Sequence, residues 1–334
     1  MRRFLDQRLK LRQMRAVVAI AAQGSLLGAS RHLGVSQPAL TKTLHEAEEL
    51  VGTRLFERHS RGVNPTAAGL VMAVAARRMM AELGRLEAEL DRLSTGAGGT
   101  LALGAMPVAA GGMLPGVLAR LKRLHPDLLV RMTEGTTEDL LPALASGDLD
   151  LVVGRMYPPP VPDGLMRMPH YEEPFAVVAR AGHPIFSAGV PLPAALRDYE
   201  LVLPTIGQRI GQELERLLAT LDLTPAAALR STSSSFIREM LHSTDCVSIT
   251  PGLLMAGDLL RGTLRLVPMP PGLLGPPRPA GLIVRSDRAT PPAAEALVAC
   301  LHATLADLRS RGLAGITGSD GGAEPIDGAP TPAR

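Results

Sequence analysis

Near the start of the chain, hydrophobic residues recur at the spacing of an α-helix in successive segments. The apolar stripe of the first segment consists of Leu11, Met14, Val17, Val18 and Ala21. The stripe of a later segment consists of Leu40, Leu44, Ala47 and Val51. Residues three and four apart share one face of a helix, so both segments are predicted to be amphipathic helices. With a short helix between them, they would close a small three-helix core.

Two serines predict where the later helices begin. Ser25 and Ser36 each precede an apolar helical pattern, so each hydroxyl can accept a hydrogen bond from an unpaired backbone N–H. Pro38 falls in the first turn of its helix, where a missing N–H costs nothing. With a tight turn at Gly34 and Val35 between them, the two helices form a predicted helix-turn-helix.

A basic hairpin follows, with Leu55 and Phe56 on the buried side of a short strand. The outward residues of the later helix, Glu48 among them, are polar or small, as contacts with base edges and phosphates require. The predicted DNA contacts are Ser36, Gln37, Pro38, Thr41, Lys42, His45, Arg58 and Arg61. A solvated helix face is the alternative. The caps, the turn and the hairpin together favour a winged helix-turn-helix that binds double-stranded DNA.

From Thr66 onward the apolar pattern alternates strictly between steps of four and three residues. This seam consists of Met72, Ala76, Met79, Leu83, Leu86, Leu90 and Leu93. Its period is that of a coiled coil, and a helix packed on its own domain is the alternative. Residues 66–94 are therefore predicted to be a linker helix after the 1–65 head. The residues expected to dimerise are Met79, Leu83, Leu86 and Leu90.

Beyond residue 95, short apolar strands alternate with helices. The first predicted strands are 101–105, 128–132 and 147–154, separated by helices 113–124 and 138–145. This order predicts a parallel sheet in a two-lobed α/β domain over residues 95–312. Lobe I is expected to span about residues 100–160 and 268–312, and lobe II about 161–267. Residues 313–334, rich in Gly, Pro and Ala, are predicted to be a disordered tail.

In such α/β folds, ligands lie at the carboxyl ends of strands and between lobes. This rule selects the candidate effector-binding residues Met106, Pro107, Val108, Thr136, Thr137, Pro204, Thr205, Ile206 and Thr250. Several of these residues precede helices, and helix N-termini favour anions. The predicted ligand is therefore a small, negatively charged molecule. For each single residue, an ordinary role in a turn is the alternative.

Positive charge is concentrated at the beginning of the chain. Residues 1–65 contain eleven Lys or Arg and five Asp or Glu, a net charge of +6, whereas the rest has a net charge of −3. A local excess of this kind is typical of a nucleic-acid-binding surface. Only 2% of the residues are aromatic, which argues against the base stacking that single-stranded and RNA-binding modes use.

Other features disfavour catalysis. Cys246 and Cys300 lie in apolar segments without companion ligands, which favours buried packing over redox sensing. The chain lacks clustered histidines, a phosphate-binding loop and a nucleophile elbow, so no metal, cofactor or enzymatic activity is expected. We find neither a secretory signal nor a membrane-spanning apolar run, and we expect a cytoplasmic protein. A non-regulatory small-molecule-binding protein or enzyme is the alternative.

Four motifs carry a resemblance to a known family. They are Ser25 with Ala29 and Leu33, the run Val35-Ser36-Gln37-Pro38-Ala39-Leu40-Thr41, the pattern Leu55-Phe56-x-Arg58-x-x-Arg61, and Thr66-x-Ala68-Gly69. The combination resembles the LysR-type transcriptional regulators, over about residues 11–308. The resemblance implies a winged helix-turn-helix head, a long linker helix and an effector domain similar to a periplasmic-binding-protein fold. It also implies DNA contacts through Gln37, Pro38, Thr41, Lys42 and His45, with Arg58 and Arg61 on the wing.

The same resemblance implies partners and a role. We expect a homodimer or homotetramer that binds operator DNA, acts with RNA polymerase and responds to a small organic-acid or sugar-derived inducer. Met106 stands where many members of the family have a hydroxyl residue. The chain is thus predicted to regulate transcription.

Overall fold

The computed structural model describes residues 5–59, 62–95, 99–159, 163–187, 194–205, 209–223, 228–287, 292–313 and 315. The chain divides into two compact units. One contains residues 1–99 with the short segment 145–149, and the other contains residues 100–144 and 150–334. Within the described ranges, no helix is both long and apolar enough to cross a membrane.

The first unit begins with the head. Its elements are α1 (Leu5–Arg8), α2 (Leu11–Gln23), α3 (Leu26–Leu33), α4 (Gln37–Val51), β1 (Phe56–His59) and β2 (Gly62–Pro65). Ser25 Oγ accepts a hydrogen bond from the Gly28 N–H at 3.0 Å, and Ser36 Oγ accepts one from the Ala39 N–H at 3.4 Å. Gly34 ends α3 with a φ of 66°, a left-handed conformation that suits glycine. The predicted winged helix-turn-helix is confirmed.

The head buries most of the apolar stripes that define its helices, although Leu11, predicted as part of the first stripe, is 49% exposed. Val17, Ile20 and Leu55 are fully buried, and Leu40 is almost so. Burying one large aliphatic side chain stabilises a fold by about 1.5 to 3 kcal/mol, so a few such residues suffice to fix the helix packing. As a result, α4 is held with its apolar side inward and its polar side toward solvent.

The linker helix α5 (Ala67–Thr95) divides the predicted seam into two parts. Met72 belongs to the core of the head, where α5 packs along α2, and Ala76 is also buried. The later seam residues Met79, Leu83, Leu86 and Leu90 are instead 38 to 56% exposed. The prediction of one continuous intermolecular seam is therefore wrong for its first residues, because the head uses them to cover its own core.

The second unit alternates strands and helices. They are β3 (Thr100–Ala105), α6 (Pro107–Gly112), α7 (Leu114–Leu124), β4 (Leu129–Glu134), α8 (Thr137–Ser146), β5 (Leu151–Arg155), β6 (Leu165–Glu173), β7 (Phe175–Arg180), β8 (Leu201–Pro204), α9 (Arg209–Thr220), β9 (Ala228–Ser231), α10 (Ser234–Ser243), β10 (Ser248–Pro251), α11 (Ala256–Arg261), β11 (Leu264–Val267), β12 (Arg278–Arg285) and α12 (Pro292–Leu308). Short 3₁₀ turns lie at Pro184–Phe186, Ala194–Asp198 and Gly252–Met255, and a π-helical turn at Arg309–Leu313 follows α12.

Lobe I is built on a sheet with the strand order β4-β3-β5-β12-β6. The first three of these strands are parallel, as predicted, because helices return the chain to the same edge between them. The late strand β12 is antiparallel to both of its neighbours, so the sheet is mixed rather than parallel throughout. Leu103, Leu121 and Leu301 are fully buried in the core that the sheet shares with α7 and α12.

Lobe II contains the antiparallel sheet β10-β7-β11 and the parallel pair β8-β9 within its described residues. A bridge between Leu201 and Val247 connects the two sheets. Leu203, Leu214 and Ile249 are fully buried in one core of this lobe, while Val178, Val202 and Ile237 belong to a second core that continues into lobe I. The predicted two-lobed α/β architecture is confirmed.

Two predicted boundaries in this unit are wrong. Residues from 161 onward were assigned to lobe II, but β6 pairs with β12 in the sheet of lobe I, where Tyr171 lies opposite Ala280. Lobe II therefore begins after Glu173, because β6 buries Tyr171 in the core of lobe I. Leu313 was assigned to the disordered tail, yet it is buried in the same core. Apart from Gly315, the rest of the predicted tail lies outside the described residues.

Candidate nucleic-acid interface and effector cleft

Outward residues of α4 form one open face on the head. Gln37, Pro38, Thr41, Lys42 and His45 line a shared shallow hollow, which we name the recognition face. Ser36 is exposed beside it and caps the helix. This face presents amide, hydroxyl and amine groups, the chemistry that hydrogen-bonds base edges and phosphates. The structure thus brings together the predicted contacts that lie on α4.

Glu48 does not belong to this face. Its Oε1 accepts hydrogen bonds from the backbone N–H groups of Leu55, at 2.8 Å, and Phe56, at 3.3 Å. The prediction that Glu48 points outward is therefore wrong. Buried backbone donors need acceptors, and this carboxylate supplies one where the chain enters β1. Glu48 consequently ties the wing to α4.

Other acidic residues near the recognition face are also paired. Glu46 accepts a hydrogen bond from Arg12 Nη2 at 2.8 Å, and this bond lowers the pKa of the Glu46 carboxyl. His45 Nε2 lies 3.4 Å from Glu49 Oε1, one helical turn further along α4. The Arg12 guanidinium balances a negative charge on α4, which favours the approach of a phosphate backbone.

The wing is held close to the helices by backbone contacts. The Val63 N–H donates to Gly24 O at 2.8 Å, and a Cβ on Gly62 would lie only 2.5 Å from that oxygen. Arg58 lies in β1 opposite Val63, whereas Arg61 lies outside the described residues. The DNA contacts of both arginines stay predictions.

The Thr66-x-Ala68-Gly69 motif joins the linker helix to the wing. Thr66 Oγ1 donates to Arg54 O at 2.9 Å and accepts a hydrogen bond from the Gly69 N–H at 3.0 Å. A Cβ on Gly69 would lie 1.9 Å from the carbonyl oxygen of Leu55, so any larger residue would force the helix away. The hydrogen bonds of the Thr66 hydroxyl and the close approach of Gly69 to the backbone thus explain two residues of the motif.

A cleft lies between lobe I and lobe II. The predicted effector-binding residues that line it are Met106, Pro107, Val108, Thr136, Thr137, Pro204 and Thr250. Thr205 is not among its lining residues. Its N–H donates to Ser231 O at 3.0 Å and extends the pairing of β8 with β9. Ile206 lies outside the described residues. Most of the predicted pocket is thus brought together.

Several lining residues are absent from the sequence prediction. They are Glu138, Arg155, Tyr157, Glu173, Arg209, Ile210, Ser231, Thr232, Ser234, Ile237, Pro251 and Leu254. Arg155 and Tyr157 lie at the carboxyl end of β5, so the strand-end rule would have identified them if applied there. Glu138 and Arg209 carry no comparable local signal.

Arg155 is the centre of a buried ion-pair cluster that joins the lobes. Its Nε donates to Glu173 Oε2 at 3.1 Å, its Nη1 to Glu213 Oε2 at 2.6 Å, and its Nη2 to Glu173 O at 3.0 Å. Burial opposes the Arg155 charge, but Glu173, Tyr157 and Glu213 together raise its pKa. Burial raises the pKa of Glu173, and the Arg155 charge opposes that rise. All three guanidinium nitrogens are engaged.

A second ion pair spans the cleft and is exposed. Arg209 Nε of lobe II lies 3.1 Å from Glu138 Oε1 of lobe I, and the guanidinium carbon lies 4.9 Å from the ring centre of Tyr157. Burial tends to raise the pKa of Glu138, but a backbone hydrogen bond and Arg209 hold it below its usual value. The side chains of Arg209 and Glu138 are 42% and 61% exposed, compared with 2% and 0% for Arg155 and Glu173.

Two hydroxyl groups of the cleft are buried without a hydrogen-bond partner in the described part of the chain. They are Thr250 Oγ1 in lobe II and Tyr157 Oη in lobe I. Burial raises the pKa of Tyr157 to about 12, so the phenol stays protonated and can donate a hydrogen bond. Uncompensated burial of a hydroxyl costs about 1 to 3 kcal/mol, so these groups suit the polar atoms of a ligand.

The helix N-terminus of α8 is already occupied by side chains. Thr136 donates to Asp139 Oδ2 through its N–H at 3.1 Å and its hydroxyl at 2.7 Å. Glu138 and Asp139 both lie in the first turn of the helix. These carboxylates supply the negative charge that a helix N-terminus favours. The anion site predicted at this N-terminus stays a prediction, although Asp139 already accepts both hydrogen bonds from Thr136.

Comparisons with known proteins agree with this architecture. Residues 11–70 match the bacterial regulatory helix-turn-helix protein, lysR family, and residues 94–306 match the LysR substrate binding domain. The regulator PcaQ of Agrobacterium fabrum is 33% identical over 285 residues, which cover 85% of this chain and 91% of PcaQ. The regulator GbpR of Azospirillum brasilense is 31% identical over 303 residues, with coverages of 90% and 88%.

Solved structures share the fold. Full-length OxyR from Pseudomonas aeruginosa has a TM-score of 0.62 at 23% identity and covers 94% of this chain and 99% of its own. Full-length CbnR complexed with its target DNA has a TM-score of 0.62 at 21% identity, with coverages of 89% and 100%. The two matched domains and the similar regulators show that the chain belongs to the LysR family of DNA-binding transcriptional regulators.

Proposed function

We propose that this regulator switches a target operon in response to a small organic-acid or sugar-derived inducer bound in the cleft. One observation carries the proposal: both lobes contribute apolar walls and a partnerless buried hydroxyl to the same cleft, Tyr157 from lobe I and Thr250 from lobe II. Such a lining fits a compact molecule with a few polar atoms. A molecule that contacts both lobes favours one lobe arrangement over another and so shifts an equilibrium between two states.

The recognition face is proposed to enter the major groove of operator DNA. Gln37 and Thr41 would contact base edges, while Lys42 and His45 would contact phosphates. Ser36, Pro38, Arg58 and Arg61 are the remaining proposed contacts. The shared exposure of the residues on α4 supports this arrangement. RNA polymerase is the proposed partner of the DNA-bound protein.

A homodimer or homotetramer is proposed to form through the exposed half of α5. Met79, Leu83, Leu86 and Leu90 leave apolar surface in water that a second copy would bury. Two heads related by symmetry would suit a palindromic operator. Replacing Leu83 and Leu86 with Glu is expected to give a monomer with poor operator affinity. Light scattering that shows an unchanged oligomer would move the interface elsewhere.

A ligand screen tests the proposed cleft. The full-length protein is expected to gain thermal stability from at least one small organic acid or sugar, because binding to the folded state stabilises it. Ile210→Phe fills the cleft from α9 and is expected to abolish that gain. Gln212→Phe, at an exposed position of the same helix outside the cleft, is expected to retain it. A ligand that stabilises both variants equally binds elsewhere and contradicts the proposal.

A further inference from the structure

Among the described residues that line the cleft, the two with a positive charge are Arg155 and Arg209. Arg155 is fixed in place, since its three guanidinium nitrogens donate to Glu173 and Glu213 in a buried cluster. A ligand that took the Nε contact would leave the carboxylate of Glu173, which is 0% exposed, without its cation, and breaking a buried pair in this way is strongly destabilising. Exchange of Arg155 for a negative group on an inducer is therefore unfavourable.

Arg209 differs in both exposure and partner. Its contact with Glu138 is an exposed ion pair, and water screens such a pair so that it contributes little to stability. The guanidinium also lies over the Tyr157 ring, an attraction that does not depend on Glu138. Arg209 would thus remain at the cleft if its carboxylate partner were exchanged.

Glu138 is also stabilised without Arg209. It lies in the first turn of α8, where the helix dipole favours a negative charge. Its carboxylate is 61% exposed, so water can solvate it after release. Releasing Glu138 from Arg209 therefore leaves no buried charge behind.

We propose that Glu138 and the inducer compete for Arg209. The negative group of a bound inducer displaces the Glu138 carboxylate from the Arg209 guanidinium. This inference rests on the proposed function of the cleft. Without inducer, Arg209 of lobe II pairs with Glu138 of lobe I; with inducer, it pairs with the bound anion. An uncharged molecule of the same shape cannot replace the Glu138 carboxylate as the ionic partner of Arg209. The exchange consequently makes Arg209 a determinant of selectivity for anions.

Calorimetric titration of the full-length protein with cyclohexanecarboxylate and its uncharged amide tests the exchange, because the two probes share one apolar body and differ in charge. Glu138→Gln is expected to bind the carboxylate about twofold to fivefold more tightly, the gain that corresponds to removing one exposed ion pair. Its affinity for the amide should not change. Arg209→Gln is expected to lose the preference for the carboxylate, and adding Glu138→Gln to it should have no further effect.

Asp222→Asn provides a matched control. Asp222 forms a comparable exposed ion pair with Arg197, at 2.8 Å and outside the cleft. Asparagine tolerates the positive φ of 51° at this position. This variant is expected to bind both probes like the original protein.

Failure of the exchange and failure of the cleft give different results. Equal carboxylate affinity in the original protein, Glu138→Gln and Arg209→Gln overturns the exchange but leaves the cleft as the binding site. Absence of carboxylate binding in both the original protein and Glu138→Gln overturns the exchange as well. Undiminished carboxylate binding by Ile210→Phe overturns the cleft itself.

Discussion

The recognition face and the cleft are built over different distances along the chain. The recognition face comes from one stretch of α4, between Gln37 and His45. The cleft gathers residues from many separate segments, as Met106, Arg155 and Thr250 illustrate. Helical spacing alone determines the first surface, whereas the second exists only after the whole α/β unit has folded.

This difference has energetic consequences. Except for the half-buried Thr41, the side chains of the recognition face are exposed to water, while the charged residues of the cleft include a buried cluster that joins the lobes. Substitutions on the recognition face should therefore change DNA binding without changing stability. Substitutions among the buried residues of the cleft should change stability as well as ligand binding.

Arg155→Met is expected to cause the largest effect. The substitution leaves Glu173 fully buried without its cation, and breaking a buried pair in this way costs about 3 to 5 kcal/mol. Chemical denaturation of the full-length protein, monitored through the unfolding of its α/β unit, measures this loss in the free energy of unfolding. Arg197→Met removes an exposed ion pair and should cost less than about 1 kcal/mol. Equal stabilities of the two variants would break the contrast between buried and exposed charges.

Glu48→Ala tests whether the head, like the cleft, contains a residue whose substitution changes both stability and binding. The backbone N–H groups of Leu55 and Phe56 lose their acceptor, so the free energy of unfolding should fall by about 1.5 to 3 kcal/mol. The wing should also become less well placed, weakening binding to operator and random DNA together. Glu49→Ala, at an exposed neighbouring position, should change stability by less than about 0.5 kcal/mol. If Glu48→Ala were equally silent, the wing would not depend on this carboxylate.

Gln37→Ala should separate binding from stability. It is expected to reduce the discrimination between operator and random DNA by about 1 to 3 kcal/mol, because an amide that contacts a base edge is lost. The melting temperature should not change, since the side chain is exposed. Lys42→Ala should instead weaken binding to operator and random DNA about equally and reduce the salt dependence of binding. Mobility shifts at several salt concentrations distinguish the two, and intact discrimination by Gln37→Ala would exclude this face as the reader of sequence.

The head was predictable because its signals are local. The Ser25 and Ser36 caps, each bonded to an N–H three residues later, follow directly from residue type and position. The exceptions involve tertiary contacts: Glu48 binds donors seven and eight residues away, beyond a turn. Met72, although in phase with the seam, is needed by the core of the head. A repeating pattern predicts which face is apolar but not which surface covers it.

The cleft was predictable only where a rule links sequence to position in a sheet. Strand ends identified Met106 and Thr250, among others. Arg209 and Glu138 are 71 residues apart, and Arg155 and Glu213 are 58 residues apart. No spacing connects such pairs, because the contact depends on how the two lobes pack. Their charges were visible in the sequence, but their partners were not.

Thr250→Val should change the free energy of unfolding least, but whether that change stabilises or destabilises the protein distinguishes two roles of the hydroxyl. The Thr250 hydroxyl is buried without a partner among the described residues, so an isosteric methyl group should stabilise the protein, by about 1 kcal/mol or less. Ser248, on the same strand, donates to Val202 O at 2.7 Å, so Ser248→Ala should destabilise it by about 0.5 to 1.5 kcal/mol. Thermal unfolding of both variants, with and without an inducer found by the screen, completes the test. Stabilisation together with a weaker inducer response would mean that the hydroxyl serves the ligand rather than the fold, whereas destabilisation like that of Ser248→Ala would mean that it already has a partner within the protein.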